Sequence, residues 1–356
     1  MLPWSLGVIP RYPKQEVVKT REQTSRDCVV VGEVANSTPP TDACIPVDDL
    51  NKHTLVTGAT GTGKTFTVAT IVNRLTEGEY SVFFKPLILD WHGEYSSLLH
   101  DPEVKDPFHL PITLLSRDEE YYSVEFASQV LGLTPAQEYV LLKSLESLGG
   151  EENLNIADLV EILEGMADES AWFRESRLSL MRKLRRLTIG GYKELFSGGD
   201  LDLEVSSNKP LVIDLSKIGD LAIRRVYVAA FLKKIFDKAL RGGFNSRRLL
   251  IVVEEARNLL GRDNYVEILV KMLDEIRKFG VGIVIVSQSP SALVEDVMAN
   301  TSTKIVHSIK SAVDLEVLDK VVNMTSEIRE ILPYMDKGEA VLFSSFYKKP
   351  LLIRIV

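Results

Sequence analysis

Short apolar runs alternate with amphipathic stretches along much of the chain, and a polar or glycine-rich turn follows each run. Residues 53–57 form the first such run, and residues 66–75 then place apolar side chains three and four positions apart. That spacing predicts a helix, whereas a short apolar run between turn residues predicts a strand. Residues 86–90 are a second apolar run that ends in an acidic residue. Strand, helix and strand in this order predict the start of a parallel α/β sheet.

The same alternation returns after residue 200 and continues to the end of the chain. Apolar runs at residues 210–215, 249–253 and 281–286 predict three more strands, and residues 222–240 and 265–279 have helical spacing. Three late strands are predicted at 304–308, 339–343 and 351–356. Several of these runs are apolar throughout rather than alternating, which is typical of strands covered on both faces.

The stretch between these two halves has a different pattern. Apolar residues recur at helical spacing in residues 124–148, 156–166 and 172–187, and strand signals are absent. Residues 1–50 contain one β-like run, at 28–34. We therefore predict a short β-containing N-terminal segment (1–50), an α/β core in two parts (51–118 and 201–356) and a helical insertion (119–200).

The composition of the chain argues against several classes of protein but does not indicate a function. The chain has 356 residues and a net charge of −8, so overall charge does not indicate nucleic-acid binding. No apolar run approaches the roughly 20 residues of a membrane helix, and no secretory signal is visible, so we expect a cytoplasmic protein without membrane insertion. The two cysteines, Cys28 and Cys44, are expected to be free thiols. A disulfide between them is the alternative, mainly for a hyperthermophilic source.

The strongest chemical signal is a phosphate-binding loop at residues 58–65, which matches GxxxxGK[ST] between a predicted strand and a predicted helix. Glycines let backbone N–H groups turn toward phosphate oxygens, and the helix that follows points its positive end at the same anion. The motif predicts ATP and Mg²⁺ as ligands, with Lys64 on the β- and γ-phosphates and Thr65 on the metal. The predicted nucleotide-binding residues are Gly58, Ala59, Thr60, Gly61, Thr62, Gly63, Lys64, Thr65, Phe66 and, from the resemblance below, Lys52.

Polar residues at other strand ends are candidates for the hydrolytic machinery. Glu254 and Glu255 follow the 249–253 run, where Glu254 would order the magnesium shell and Glu255 would polarise the attacking water. Gln288 follows the next strand and would contact the γ-phosphate or that water; the alternative is an ordinary loop glutamine. Asp90 and Glu94 lie at a further strand end, where they would hold a metal-bound water or a neighbouring cation.

Together these residues resemble the HerA branch of the HerA–FtsK superfamily of ring-shaped DNA motors, over roughly residue 32 to the C-terminus. The stretch Asp-Trp-His-Gly-Glu-Tyr at 90–95 is the most family-specific, and residues 50–53, 276–281 and 287–290 are also typical. The resemblance implies a RecA-like P-loop NTPase core, a homo-hexamer with ATP between subunits, movement on double-stranded DNA, and pairing with a NurA-type nuclease in DNA-end processing.

The resemblance also implies roles for single residues. Glu255 would activate water, Gln288 would sense the γ-phosphate, and Arg277 would be an arginine finger acting on a neighbouring subunit's ATP. Lys52 would face a neighbouring site as well. The chain departs from the family pattern in having Ser289 where Arg is common, Glu254 for Asp, and an N-terminal segment too short for the family's complete barrel.

Two questions stay open at this level. Six basic residues between positions 174 and 186 form either a phosphate-contacting patch or a solvated helix face. The same nucleotide site would also serve a conjugation- or packaging-type DNA pump, or a nucleotide-gated scaffold that does not hydrolyse ATP.

Overall fold

The structure is a computed structural model that describes residues 12–20, 28–77, 84–116, 120–147, 153–199, 208–242, 244, 248–263, 266–322 and 324–356. The strands are β1 (Cys28–Val34), β2 (Asp42–Pro46), β3 (Thr54–Thr57), β4 (Phe84–Asp90), β5 (Glu103–Lys105), β6 (Leu115–Ser116), β7 (Asn153–Leu154), β8 (Leu211–Asp214), β9 (Arg248–Val253), β10 (Val281–Ser287), β11 (Thr303–Val306), β12 (Glu339–Ser344) and β13 (Leu351–Arg354). The helices are α1 (Lys64–Thr76), α2 (Glu120–Leu131), α3 (Pro135–Glu146), α4 (Ile156–Gly165), α5 (Ala171–Thr188), α6 (Tyr192–Leu195), α7 (Leu221–Leu240), α8 (Arg257–Leu260), α9 (Glu267–Ile276), α10 (Glu295–Ala299), α11 (Ala312–Val321) and α12 (Ser326–Ile331).

Within the described ranges, eleven strands form one sheet in the order β2-β1-β13-β12-β11-β3-β10-β9-β4-β8-β5. The strands from β11 to β5 run parallel, and β12, β13, β1 and β2 extend the sheet antiparallel. The predicted α/β fold with a mostly parallel central sheet is confirmed.

Helices cover both faces of the sheet, which explains the uninterrupted apolar strands. Along β4, Leu87 and Leu89 pack into one apolar core with α7 and α9, whereas Ile88 packs into a second core with α1. Neighbouring strand residues point to opposite faces, so each face needs its own apolar side chains. A third, smaller core joins β11 and β12 to α11 and α12.

In its described residues, the predicted helical stretch contains five helices, α2 to α6, and one short strand. The run expected at 124–148 is two helices, because Gly132 takes a left-handed conformation and Thr134 begins α3 with a capping box ahead of Pro135. The two-residue strand β7 pairs with β6, a pairing that the apolar pattern does not predict. The division into core and insertion stays a prediction.

The N-terminal strands β1 and β2 belong to the central sheet, since β1 pairs with β13 at its antiparallel end. The expectation of two free thiols is wrong, because Cys28 and Cys44 form a disulfide across this strand pair. The antiparallel pairing brings their Cα atoms to 5.6 Å, within the range that a disulfide needs. Spacing along the chain could not show this, because strand register decides which residues meet.

Replacing both Cys28 and Cys44 with alanine is expected to lower the free energy of unfolding by about 3 kcal/mol, since the disulfide closes a short loop in the unfolded chain. Denaturant unfolding with and without reductant measures the difference. Reductant should destabilise the wild type and leave the double variant unchanged. Equal stability of the two proteins under oxidising conditions would contradict the disulfide's role.

None of the helices in the described part of the chain combines the length and the apolar character needed to cross a membrane.

Candidate nucleotide site

Four parallel strands end at the same edge of the sheet and carry the predicted site residues there. The register pairs Thr57 at the end of β3 with Ser287 at the end of β10. In the same way, Val253 of β9 lies opposite Leu89 of β4. The residues that follow these strand ends therefore converge on one cleft of about 600 Å³.

The phosphate-binding loop at residues 58–65 connects β3 to α1 and curves around the Lys64 side chain. Lys64 is buried, and its ammonium group donates to the carbonyl oxygens of Gly58 at 2.7 Å and Ala59 at 2.8 Å. Burial lowers the pKa of Lys64, while Glu255 and Glu254 act in the opposite direction. Gly58 has a φ of 147°, and a Cβ there would lie 2.6 Å from the His307 Cβ, so no other residue fits.

His307 supports the loop from below and was not among the predicted residues. Its Nδ1 lies 2.9 Å from the Glu339 carbonyl oxygen, so Nδ1 carries the proton, and Nε2 accepts from the Thr67 hydroxyl at 2.8 Å. Burial lowers the pKa of His307 to about 4, so the ring is neutral at pH 7. Its position within the strand predicted at 304–308 was the only sequence signal, and such a signal does not distinguish a buried histidine in a site from one in the core.

The two glutamates after β9 differ in environment. Glu254 is buried, and desolvation together with the nearby Asp90 raises its pKa to about 8. Glu255 has a φ of 46°, unusual for a residue with a side chain and of a kind that often marks a functional site. Its carboxylate lies 3.1 Å from the Arg257 Nε and 3.7 Å from the His92 Nε2. Sequence reasoning did not identify either of these neighbours of Glu255.

Gln288 connects Glu255 to the phosphate-binding loop. Its side-chain N–H donates to Glu255 Oε1 at 2.5 Å, and its side-chain oxygen accepts from the Thr60 hydroxyl at 2.9 Å. The next residue, Ser289, turns away from the cleft and donates to Asp314 at 2.6 Å.

The loop after β4 has Asp90 at its centre. The two carboxylate oxygens of Asp90 accept backbone N–H groups from each of residues 92–95, at 2.8 to 3.2 Å. Asp90 is fully buried and shapes this loop, so its position differs from the expected direct contact with a metal-bound water or a cation. Glu94 and His92 line the cleft instead.

Arg277 and Lys52 lie away from this cleft. Arg277 lies a few residues before the start of β10, and Lys52 lies just before the start of β3. Both residues therefore lie at the opposite edge of the sheet. The seven residues of β10 put about 20 Å between the two edges. At this opposite edge, His53 accepts the Ile283 N–H at Nδ1 and contacts the Leu273 carbonyl oxygen through Nε2. It therefore connects the start of β3 to β10 and α9.

The side chains of the cleft fit a nucleotide bound with magnesium. Hydroxyl and carboxylate oxygens are the ligands that Mg²⁺ prefers, and Thr65, Glu254 and Glu255 line the cleft with such groups. One oxygen of Glu254 is buried without a hydrogen bond of ordinary geometry to the described residues, although the Tyr95 hydroxyl lies beside this carboxylate.

The basic residues of α5 are largely paired inside the chain. Arg177 and Arg186 lie 2.7 Å from Asp168 and Asp220, and Arg185 pairs with Glu164. Lys183 donates to the Gly132 carbonyl and to Gln137. This pairing favours a solvated helix face over a phosphate-contacting patch.

The parallel sheet and the phosphate-binding loop at its edge define a P-loop NTPase core of the RecA-like type. A family model described as "Helicase HerA, central domain" matches residues 29–235, more than half of the chain. The chain therefore belongs to the HerA helicase central-domain family, and the predicted resemblance is confirmed.

Curated relatives and solved structures agree with this membership. The chain is 29% identical over 339 residues to the DNA double-strand break repair helicase HerA of Sulfurisphaera tokodaii, and 29% identical over 343 residues to that of Sulfolobus acidocaldarius. Each alignment covers 87% of this chain and 66% of the relative, so the chain spans just under two thirds of their length.

Two solved structures share the fold at low sequence identity. VirB4 of Thermoanaerobacter pseudethanolicus superposes with a TM-score of 0.69 at 17% identity, over 94% of this chain and 97% of that one. The bacterial conjugative coupling protein TrwBdeltaN70 superposes with a TM-score of 0.65 at 15% identity, over 95% of this chain and 90% of that one.

Proposed function

We propose that this protein is an ATP-dependent motor that binds ATP and Mg²⁺ in the described cleft and moves on double-stranded DNA in DNA-end processing or repair. The observation that carries the proposal is the contact of Gln288 with both Glu255 and Thr60, because it joins a candidate general base to the phosphate-binding loop. Membership of the HerA helicase family supports DNA as the substrate.

Each residue of the cleft has a distinct part in hydrolysis. Lys64 and the N–H groups of the loop bind the β- and γ-phosphates, and the positive end of α1 adds to their attraction. Thr65 and Glu254 would hold the magnesium ion, which would supply positive charge against the phosphates. Glu255 accepts a proton from the attacking water while Gln288 orients that water. Phe66 and Glu94, at the margin of the cleft, would contact the nucleotide and its water.

The position of Arg277 supports a ring in which ATP lies between subunits. An arginine about 20 Å from its own cleft cannot reach that ATP, but it can act on the ATP of a neighbour. The proposal therefore includes a homo-hexamer, with Arg277 as the finger and Lys52 at the same interface. A NurA-type nuclease partner and a cytoplasmic location remain further predictions.

Replacing Arg277 with alanine is expected to lower kcat by on the order of 10³-fold and to leave ATP affinity nearly unchanged, because a finger acts on transition-state charge. Steady-state turnover and equilibrium ATP binding measure the two effects. The neighbouring exposed Lys278, changed to alanine, is the matched control and should retain turnover.

Mixing two inactive variants distinguishes action between subunits from action within one. Rings formed from Arg277→Ala and Lys64→Ala subunits should recover turnover where an intact Lys64 site faces an intact Arg277. Mixtures that stay as inactive as either variant alone, or a wild type that is monomeric in solution with ATP, would contradict the trans role.

The motor function is tested by ATP hydrolysis with and without duplex DNA. Duplex DNA should stimulate turnover at low salt, and the stimulation should fall as salt rises, because phosphate contacts release counterions. Heparin, added at the same total negative charge as the DNA, is the control for a general effect of polyanions. Turnover that duplex DNA leaves unchanged at low salt would exclude a DNA-dependent motor.

A further inference from the structure

The turn before β12 lies directly against the phosphate-binding loop. The Gly338 N–H donates to the Thr62 carbonyl oxygen at 3.0 Å. A Cβ on Gly63 would lie 3.2 Å from the Gly338 nitrogen, so the two backbones are in close contact. The C-terminal part of the chain therefore forms part of the wall of the nucleotide cleft.

Hydrogen bonds on several sides hold this turn in place. The Asp336 N–H donates to the Glu339 carboxylate at 2.8 Å, and the Ile355 N–H donates to the Gly338 carbonyl oxygen at 2.9 Å. His307, which contacts Thr67 of α1, also contacts the Glu339 carbonyl oxygen. The same histidine thus connects the turn to the helix that begins in the phosphate-binding loop.

The turn carries an exposed cation, Lys337, that lines the same cleft as Thr60, Gly61 and Lys64. Lys337 makes no ion pair with any residue that the structure describes, whereas Lys52, also exposed, pairs with Asp49 at 2.8 Å. Its ammonium group is therefore available to a ligand.

The charge balance of the cleft shows which ligand would use this cation. Three glutamates, at 94, 254 and 255, line the cleft, and Lys64 and Lys337 are the lysines that line it. The nearby carboxylates repel a polyphosphate, although Arg257 already pairs with Glu255 and burial raises the pKa of Glu254 to about 8. A second lysine reduces that repulsion and adds a charge-assisted hydrogen bond to a phosphate oxygen.

We propose that Lys337 is a second nucleotide-binding lysine, which contacts the phosphates of ATP from the turn at residues 336–339. This inference rests on the nucleotide binding proposed above and deepens it. It also makes the β12–β13 hairpin part of the nucleotide site, because the turn that carries Lys337 leads directly into β12.

Three substitutions of Lys337 test the charge. With Mg²⁺ and a non-hydrolysable ATP analogue as the probe, Lys337→Ala should weaken binding by about 3- to 10-fold and Lys337→Glu by more, whereas Lys337→Arg should bind like the wild type. The difference between alanine and wild type should shrink at high salt, because Lys337 is exposed and salt screens its charge.

Lys349 provides the matched control, since it is exposed in the connection between β12 and β13 at the other end of the hairpin. Lys349→Ala should leave analogue affinity unchanged. Equal affinities of wild type, Lys337→Ala and Lys337→Glu would overturn the role of Lys337 while leaving the nucleotide site intact. A wild type that does not bind the analogue would refute the proposed function itself.

Discussion

Lys64→Ala is expected to abolish measurable ATP turnover, with a loss of at least on the order of 10² to 10³ in kcat/KM, because it removes the ammonium group that lies within the phosphate-binding loop, beside the Gly58 and Ala59 carbonyl oxygens. Lys64 is buried and lines the cleft. A phosphate group entering the loop gives this charge a stronger partner than the carbonyl oxygens of Gly58 and Ala59.

The variant should remain folded, so the loss can be attributed to the site. Burial lowers the pKa of Lys64, because desolvation disfavours the charged form of this side chain. Removing it is therefore not expected to reduce the melting temperature greatly. ATP turnover, analogue binding and thermal unfolding are measured together, with Lys349→Ala as the lysine control. Intact turnover in a folded Lys64→Ala protein would refute the assignment of the loop.

Glu255→Gln should reduce turnover by about 10² to 10⁴ while ATP binding persists, because the amide has nearly the shape of the carboxylate but does not accept a proton. The Gln288 side-chain N–H still finds an oxygen at this position, so the link to Thr60 remains. The contacts with Arg257 and His92 lose their charge. Single-turnover hydrolysis and analogue binding distinguish the two effects.

The same variant distinguishes a motor from a nucleotide-gated scaffold. The exposed helix residue Glu330, changed to glutamine, is the matched control for the loss of one carboxylate. A scaffold would show negligible turnover in the wild type and no change in Glu255→Gln. A large drop in the variant excludes the scaffold, and a loss of ATP binding would show that Glu255 has a structural role.

Residues that act through local backbone geometry were predictable from the chain alone. The loop at 58–65 is recognisable because all its ligands to phosphate lie within eight consecutive positions. Glu255 and Gln288 were predicted for a related reason, since each follows an apolar strand and parallel strands end at one edge of a sheet. The 2.5 Å hydrogen bond from the Gln288 side-chain N–H to Glu255 Oε1, however, forms only because β9 and β10 are neighbours in the sheet.

Residues that reach the cleft from distant parts of the chain were not predictable in this way. His307 lies 249 positions after Gly58, and Lys337 lies 273 positions after Lys64. No rule of sequence spacing relates residues so far apart. The position of Asp90 at a strand end suggested a contact in the cleft. In the structure, Asp90 is instead buried and accepts hydrogen bonds from backbone N–H groups. Side-chain direction inside a loop depends on the loop's own hydrogen bonds.

The sequence by itself determined the parallel sheet, the helices on its faces, the phosphate-binding loop and the family, because these follow from local periodicity and contiguous motifs. Only the tertiary structure decided that Cys28 and Cys44 are joined. It also decided that the turn before β12 lies against the phosphate-binding loop. The physical reason is that strand order and register bring distant residues together, and neither is encoded in the spacing of residues along the chain.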